Sequence, residues 1–481
     1  MKPLRALRRK SVEKKNKKRV GEEERQEADA VSSVSSVPEG APPELRALPY
    51  YHGLLPKRDV ELMLKLDGDF VLRSSENQAG QSVVVVSVRW KTSRSQAKRH
   101  HIGLDKVDAH WTADGGRRRF STIGDLVEFY QSTRRGLGPD GHYVLKYAVP
   151  KQAWQIDPEQ IRLDERLGAG AYGEVFRGRL LLSCGRSRSW GQRSAGVGAG
   201  ADEQRFRSVA VKRMRAGLLR KEEREQFAAE HRILRRVSHE NVVRVYGIVA
   251  ARDPLMLVME LAEHGSLLLY LRRTAALLHD DHLCQYAIEA AQGLRYLEKK
   301  AIVHRDVAAR NCLLDKKLQL KIADFGLSLQ RELTAADASK PQRLPIKWLA
   351  PETLQDGPTF NHKTDVWSFG VLMYEILSKG EEPYGGLSAK ETRQAVLNDN
   401  LRLAAPEGTR ADLAAVMSAC MATKPKDRPT FLQLKLRLRH CLDDIQKERR
   451  HLAQEPRPTP SPTTAPGAGP SGSSGSSSYY F

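Results

Sequence analysis

The 481-residue chain is poor in cysteine and in acidic charge, and it has no long apolar run. Its five cysteines, Cys184, Cys284, Cys312, Cys420 and Cys441, are scattered and form no CxxC pair. An odd, widely spaced set excludes a disulfide framework and a clustered zinc site, and leaves reduced thiols. No stretch approaches the roughly 18 apolar residues that a membrane-spanning helix requires. The start, MKPLRALRRK, lacks the apolar core of a secretory signal. Position 2 is Lys2 rather than glycine, which excludes N-myristoylation. These absences together predict a soluble, intracellular protein.

What is present is positive charge. Lys and Arg total 79 against 58 Asp and Glu, a formal net charge of +21. Ten of those cations lie in residues 1–20, against one glutamate. Such an excess favours anionic partners without choosing among lipid, nucleic acid and acidic peptide. Residues 1–46 sustain no apolar period and read as a disordered or transiently helical tail. Its basic block suits an anionic membrane, at about 1 kcal/mol per well-placed cation, or a nuclear import signal, or simple solvation.

Residues 48–150 read as a compact unit. A helical pattern at KRDVELMLKL is followed by strands at DFVLRSS and SVVVVSVRW and by a second helix at STIGDLVEFYQST. Residues 151–160 form a short connector. A large segment, 161–442, is β-rich first and helical afterwards. Within it, residues 181–206 are rich in Gly, Ser and Arg and read as a loop insertion between two strands. Residues 448–481 turn to Pro, Ser and Gly, a composition that cannot bury a core, and end in Tyr479-Tyr480-Phe481. There is no internal repeat.

Four signals in the large segment carry chemistry. LGAGAYGEVF spaces Gly168, Gly170 and Gly173 as GxGxxG, so that backbone amides can approach phosphates. A dinucleotide-binding turn would open a helix here; the strand-like EVFRGRL that follows fits a hairpin over a nucleotide instead. Lys212 closes the apolar strand VAVK, and Glu230 follows eighteen residues later on a helical pattern, a pair suited to clamping α- and β-phosphates. In VHRDVAARNCLL, Asp306 and Asn311 stand five apart: the carboxylate can accept a hydroxyl proton, and the amide oxygen can bind magnesium. Asp324, in ADFG, comes thirteen residues after Asn311 and supplies a second metal ligand.

In that order, these motifs make residues 161–442 resemble a eukaryotic protein kinase catalytic domain, a bilobal α+β fold using ATP and Mg2+ or Mn2+. The resemblance implies nucleotide contacts from Leu167, Gly168, Ala169, Gly170, Gly173, Val175, Ala210, Lys212 and Leu313. It makes Met259 the gatekeeper and gives the adenine to Glu260 and Ala262. It pairs Glu352 of APE with Arg428 and has Asp365 brace the catalytic loop. AARN, in place of a loop lysine, and LPIKWLAPE resemble the tyrosine-kinase versions; Pro345 and Trp348 then belong to a platform deep enough for a phenol. Arg310 is expected to offset charge beside Asp306.

YYHGLLPKRDVELML followed by DFVLRSS resembles a Src-homology-2 (SH2) domain, a central antiparallel sheet between two helices. Strand alternation sets Phe70 and Leu72 on one face and Val71 and Arg73 on the other. A buried arginine needs an anion, and its fork suits phosphate. The resemblance makes Arg73, Ser75, Lys57 and His100 the phosphotyrosine-binding set, with His100 packing by the ring. It implies phosphotyrosine proteins and tyrosine-bearing substrates as partners, with no specific nucleic acid.

The junction through YVLKYAVPKQAWQIDPEQIRLDERLGAGAYGEVF resembles the Fes/Fer group of non-receptor tyrosine kinases, in the short form abundant in nematodes. Between Asp324 and Glu352 there is no tyrosine. Glu332, Thr334 or Asp337 would stand nearest the usual activating position. The favoured expectation is activation through SH2 docking on the small lobe near Glu230, with Tyr479 and Tyr480 as candidate autophosphorylation sites. The alternative is a phosphotyrosine-binding adaptor with a dead kinase domain.

Overall fold

The computed structural model describes residues 42–76, 82–91, 97–170, 173–182, 206–215, 221–325, 329–330, 344–355 and 357–454. The expectations placed on Glu332, Thr334, Asp337, Tyr479, Tyr480, the basic block and most of the 181–206 insertion lie outside those residues.

The first unit contains α1 (Pro43–Ala47), α2 (Lys57–Met63), β1 (Asp69–Glu76), β2 (Ser82–Trp90), β3 (Lys98–Val107), β4 (His110–Thr112), α3 (Ile123–Thr133), β5 (Gly136–Leu137), β6 (Tyr143–Val144) and β7 (Tyr147–Ala148). The sheet runs β4-β3-β2-β1-β7. The near-continuous apolar run of β2 follows from cover on both faces: Val84, Val86 and Val88 join Phe70, Leu72, Leu126 and Tyr130 in one core. Thr122 starts α3 with a capping box to Asp125. Helix α1 falls inside the segment read as a tail. Pro43 opens it at its first turn, and Leu45 is buried in this core.

The small lobe holds β8 (Ile161–Gly170), β9 (Gly173–Leu181), β10 (Phe206–Met214), α4 (Lys221–Leu234), β11 (Val245–Val249) and β12 (Met256–Glu260). Its sheet order is β11-β12-β10-β9-β8. The large lobe holds β13 (Gly265–Ser266), α5 (Leu267–Thr274), α6 (Asp280–Lys299), β14 (Ile302–Val303), β15 (Cys312–Leu314), β16 (Leu320–Ile322), β17 (Leu329–Gln330), α7 (Pro351–Leu354), α8 (His362–Leu377), α9 (Ala389–Asn398), α10 (Ala411–Cys420) and α11 (Phe431–Gln454). Helix α8 is apolar nearly all round, and Trp367, Phe369, Val371 and Leu372 bury it at the centre of the lobe. Helix α11 continues to Gln454, beyond residue 448 where the sequence suggested the tail begins.

The first unit packs directly on the small lobe. The Leu54 N–H donates to the Ala250 carbonyl at 2.8 Å. Gly53 (φ +65°) is required there, because a Cβ would stand 2.0 Å from the Ala250 oxygen. Asp59 on α2 pairs with Arg232 on α4, their side chains 4% and 14% exposed. In the connector, the Trp154 ring packs at a tilt against His231 (4.7 Å) and under Arg235 (5.2 Å). Backbone bonds tie Trp154 and Ile156 to Ile248. Leu55, Val60, Leu64 and Val71 are buried in one cluster with small-lobe residues, at about 1.5–3 kcal/mol each.

Candidate active site and phosphate pocket

Strand β10 carries Lys212 toward α4, where its Nζ donates to both Glu230 oxygens at 3.1 and 3.2 Å and stands 3.8 Å from Asp324. Burial raises the Glu230 carboxyl above its ordinary range, while Lys212 pulls it back. Val175 pairs with Lys212 across β9–β10, and Ala210 with Met259 across β10–β12. Gly173, at φ +154°, lies so close to β10 that a Cβ would stand 2.1 Å from the Arg213 oxygen. A Cβ at Gly168 would meet nothing within 4 Å, so that side of the hairpin is open. The Glu260 N–H donates to the Arg244 carbonyl at 2.8 Å, and its carboxylate pairs with Lys321 at 3.0 Å.

The loop between β14 and β15 is held from below by Asp365 of α8. Its two carboxylate oxygens accept from the His304 and Arg305 backbone N–H groups at 2.8 and 2.9 Å. The Asn311 amide donates to the Asp306 carbonyl at 2.9 Å, which commits its nitrogen and leaves its oxygen for a cation. The Asp324 side chain is 55% exposed, at φ +58°, and Phe325 packs against the His304 ring at 4.9 Å. Arg310 pairs with Asp306 and lies 4.2 Å over the Trp348 ring. Glu352 and Arg428 form the bidentate pair implied by the sequence, at 2.7 and 2.8 Å, with the arginine side chain fully buried. Sequence reading missed Glu375, whose carboxylate accepts from the Ala309 N–H and the Trp348 indole N–H. Its one signal is an acidic residue inside the otherwise apolar VLMYEIL.

In the first unit Arg73 is 7% exposed, with its Nε 3.4 Å from the Ser87 hydroxyl. Burial disfavours its charge, and Glu61 partly restores it. Lys57 lies 3.8 Å from Glu61 at the same mouth. Ser75 shares the Arg73 face by alternation along β1. The expectation for His100 is corrected. Its β3 position faces Val88, on the side of Phe70 and Leu72, and its ring packs on Tyr143 at 4.5 Å. The next residue, His101, faces Ser87 and so lies on the Arg73 side. Its ring bonds the Ser87 hydroxyl at 2.9 Å and Glu61 at 3.0 Å. Two consecutive histidines conceal a one-residue phase error, and one residue reverses the face.

Two family models match the chain. One, described as protein tyrosine and serine/threonine kinase, covers residues 161–438; the other, the SH2 domain, covers residues 50–130. The chain belongs to the protein kinase family and carries an SH2 domain ahead of its catalytic domain. It is 34% identical to "Fer-related kinase 1" of Caenorhabditis elegans over 82% of this chain and 94% of that one. It is 33% identical to "Tyrosine-protein kinase Fer" of Homo sapiens over 81% of this chain and 43% of that one. The Fps transforming protein of avian sarcoma virus (strain PRCII) is 36% identical over 79% of this chain and 65% of its own. Within the family it is a non-receptor tyrosine kinase of the Fes/Fer group. Among the described residues, no helix is long and apolar enough to cross a membrane.

Proposed function

We propose that the catalytic domain transfers the ATP γ-phosphate to tyrosine hydroxyls of proteins through the residues gathered around Asp306. The observation that carries this assignment is the assembled set: Lys212 bonded to Glu230, Asp324 3.8 Å from Lys212, and Asn311 anchored to the Asp306 carbonyl. The hinge residues Met259, Glu260 and Ala262, with Leu167, Val175, Ala210 and Leu313, enclose the adenine. Gly168, Ala169, Gly170 and Gly173 cover the phosphates, and Lys212 orients them. Asn311 and Asp324 offer an amide and a carboxylate oxygen, hard donors suited to Mg2+ or Mn2+. Such an ion, when bound, screens the phosphate charge.

Asp306 accepts the phenol proton as the phenol oxygen bonds to the γ-phosphorus. The bond from that phosphorus to the bridging oxygen breaks, and ADP leaves with the electron pair. Arg310 restrains the Asp306 carboxylate. Transfer to a tyrosine peptide that the Asp306→Asn protein loses by at least 100-fold, with ATP binding kept, tests this assignment. Equal rates in the two proteins contradict it.

The SH2 domain, taken as residues 48–150 with α1 added, binds phosphotyrosine proteins. Arg73, Ser75, Lys57 and His101 form the phosphate pocket. Docking of this domain on α4 holds Glu230 against Lys212, and so takes over part of the task of an activation-segment tyrosine. The Asp59–Arg232 pair and the Trp154–His231 ring contact support this coupling. The enzyme is placed in the cytoplasm, and the basic block at 1–20 gives it peripheral contact with anionic membrane. Loss of sedimentation with phosphatidylserine vesicles, after neutralising those ten cations, checks that contact.

A further inference from the structure

We propose that Glu375 is a positioning residue that fixes the platform for the acceptor tyrosine relative to Asp306. This rests on the reading of Asp306 as the group that receives the acceptor proton.

Glu375 lies on α8, the most deeply buried helix of the large lobe, and is itself 2% exposed. One of its carboxylate oxygens accepts two hydrogen bonds from two separate segments. The Ala309 N–H of the catalytic loop donates at 2.8 Å, and the Trp348 indole N–H donates at 3.0 Å. About two turns earlier on the same helix, the Ser368 hydroxyl donates to the Trp348 carbonyl at 2.7 Å. Helix α8 therefore grips Trp348 at both its backbone and its indole, and from the same side chain grips the catalytic loop.

The tie reaches the reacting groups in two steps. Arg310 is the neighbour of Ala309; its guanidinium lies 4.2 Å over the Trp348 ring and pairs with Asp306. Asp365, on the same helix, holds His304 and Arg305 on the other side of Asp306. Asp306 is thus braced on both sides from α8. Only the Glu375 brace also holds the segment that contacts the acceptor. The distance from that segment to Asp306 decides whether a phenol or a shorter hydroxyl reaches the carboxylate. A misplacement of about 1 Å costs on the order of 100-fold in rate. Burial pushes the Glu375 carboxyl up to about 7, although the bonds donated by Trp348 and Ala309 favour its ionised form.

Two variants separate positioning from packing. Glu375→Leu keeps much of the volume and removes the acceptor, leaving both N–H groups unsatisfied. Glu375→Gln can present its amide oxygen to both donors. In the full chain, Glu375→Leu should raise KM for a tyrosine peptide about 10- to 100-fold. ATP KM should stay within about threefold. The preference for tyrosine over serine in matched peptides should fall, and Glu375→Gln should recover most of the loss. Trp348→Phe, which lacks the indole N–H, should reproduce the Leu effect, and the double variant should be no worse than either single one. Peptide KM and acceptor preference within twofold of the parent would overturn the proposal. So would an equal loss of ATP affinity, which would assign Glu375 to the fold alone. Tyrosine transfer by the parent no faster than by Asp306→Asn would instead defeat the assignment of Asp306, and this inference with it.

Discussion

Removing the charge at Asp59 should cut catalytic activity, although Asp59 lies in the SH2 unit and outside the catalytic domain. Asp59 is buried and Arg232 largely covered at the SH2–α4 contact, and Arg232 is two residues from Glu230. Asp59→Asn preserves the side-chain shape at the start of α2 but leaves the Arg232 guanidinium buried without its counter-ion. Breaking one partner of such a pair costs about 3–5 kcal/mol. Arg235 and Arg58 also feel the Asp59 charge, so its loss weakens the compensation of more than one cation. At about 1.4 kcal/mol per decade, the low end of that range shifts the docked-to-undocked ratio by roughly 100-fold. The Leu54–Ala250 bond and the Trp154–His231 ring contact remain, so part of the population stays docked. The expected result is a fall of at least about tenfold in kcat/KM toward a soluble tyrosine peptide, with ATP KM raised through the Lys212–Glu230 contact. Arg232→Gln should act alike, and the exchange Asp59→Arg with Arg232→Asp should restore activity to within about threefold. Single variants within twofold of the parent, in the absence of any phosphopeptide, would refute control of α4 by docking.

Burial holds the His231 imidazole down to about 3, so it folds neutral. The unfolded chain then binds the extra proton between pH 6.5 and 3, and stability falls with acidity across that window. At pH 5.5 the loss is about 1.4 kcal/mol, and His231→Gln should show a smaller drop in Tm from pH 7.5 to 5.5. Glu352→Gln leaves a fully buried Arg428 short of charge and should cost about 3–5 kcal/mol by denaturant unfolding. Arg73→Leu should abolish phosphotyrosine-peptide binding in calorimetry; His101→Ala should weaken it, and His100→Ala should leave the phosphate contribution unchanged. Gly173→Ala places a methyl against the β10 backbone and should raise ATP KM at least tenfold in steady-state kinetics.

Candidates that share a short stretch of sequence were legible before the fold. Asp306 and Asn311 lie on one loop at fixed spacing, and Lys212 follows the apolar VAV in a strand that runs on to Met214, so pattern marked them as candidates. His101 was not separable from His100, because the phase of β3 is set by its partner Ser87 on β2, and adjacent identical residues erase the cue. Glu375 and Asp59 act across 66 and 173 residues of sequence, on Ala309 and Arg232 respectively; an acid within an apolar run marks Glu375 as unusual, but its partner is not written nearby. Helix α1 was hidden because five residues carry no period; only the burial of Leu45 against the SH2 core makes it a helix rather than a linker.

The most direct test uses phosphatase-treated full-length protein with ATP, magnesium and matched peptides bearing tyrosine or serine. Rapid transfer to tyrosine, little to serine, and loss of both in Asp306→Asn would match a tyrosine kinase that works without a tyrosine between Asp324 and Glu352. Magnesium-dependent ATP binding with no transfer to tyrosine would contradict it.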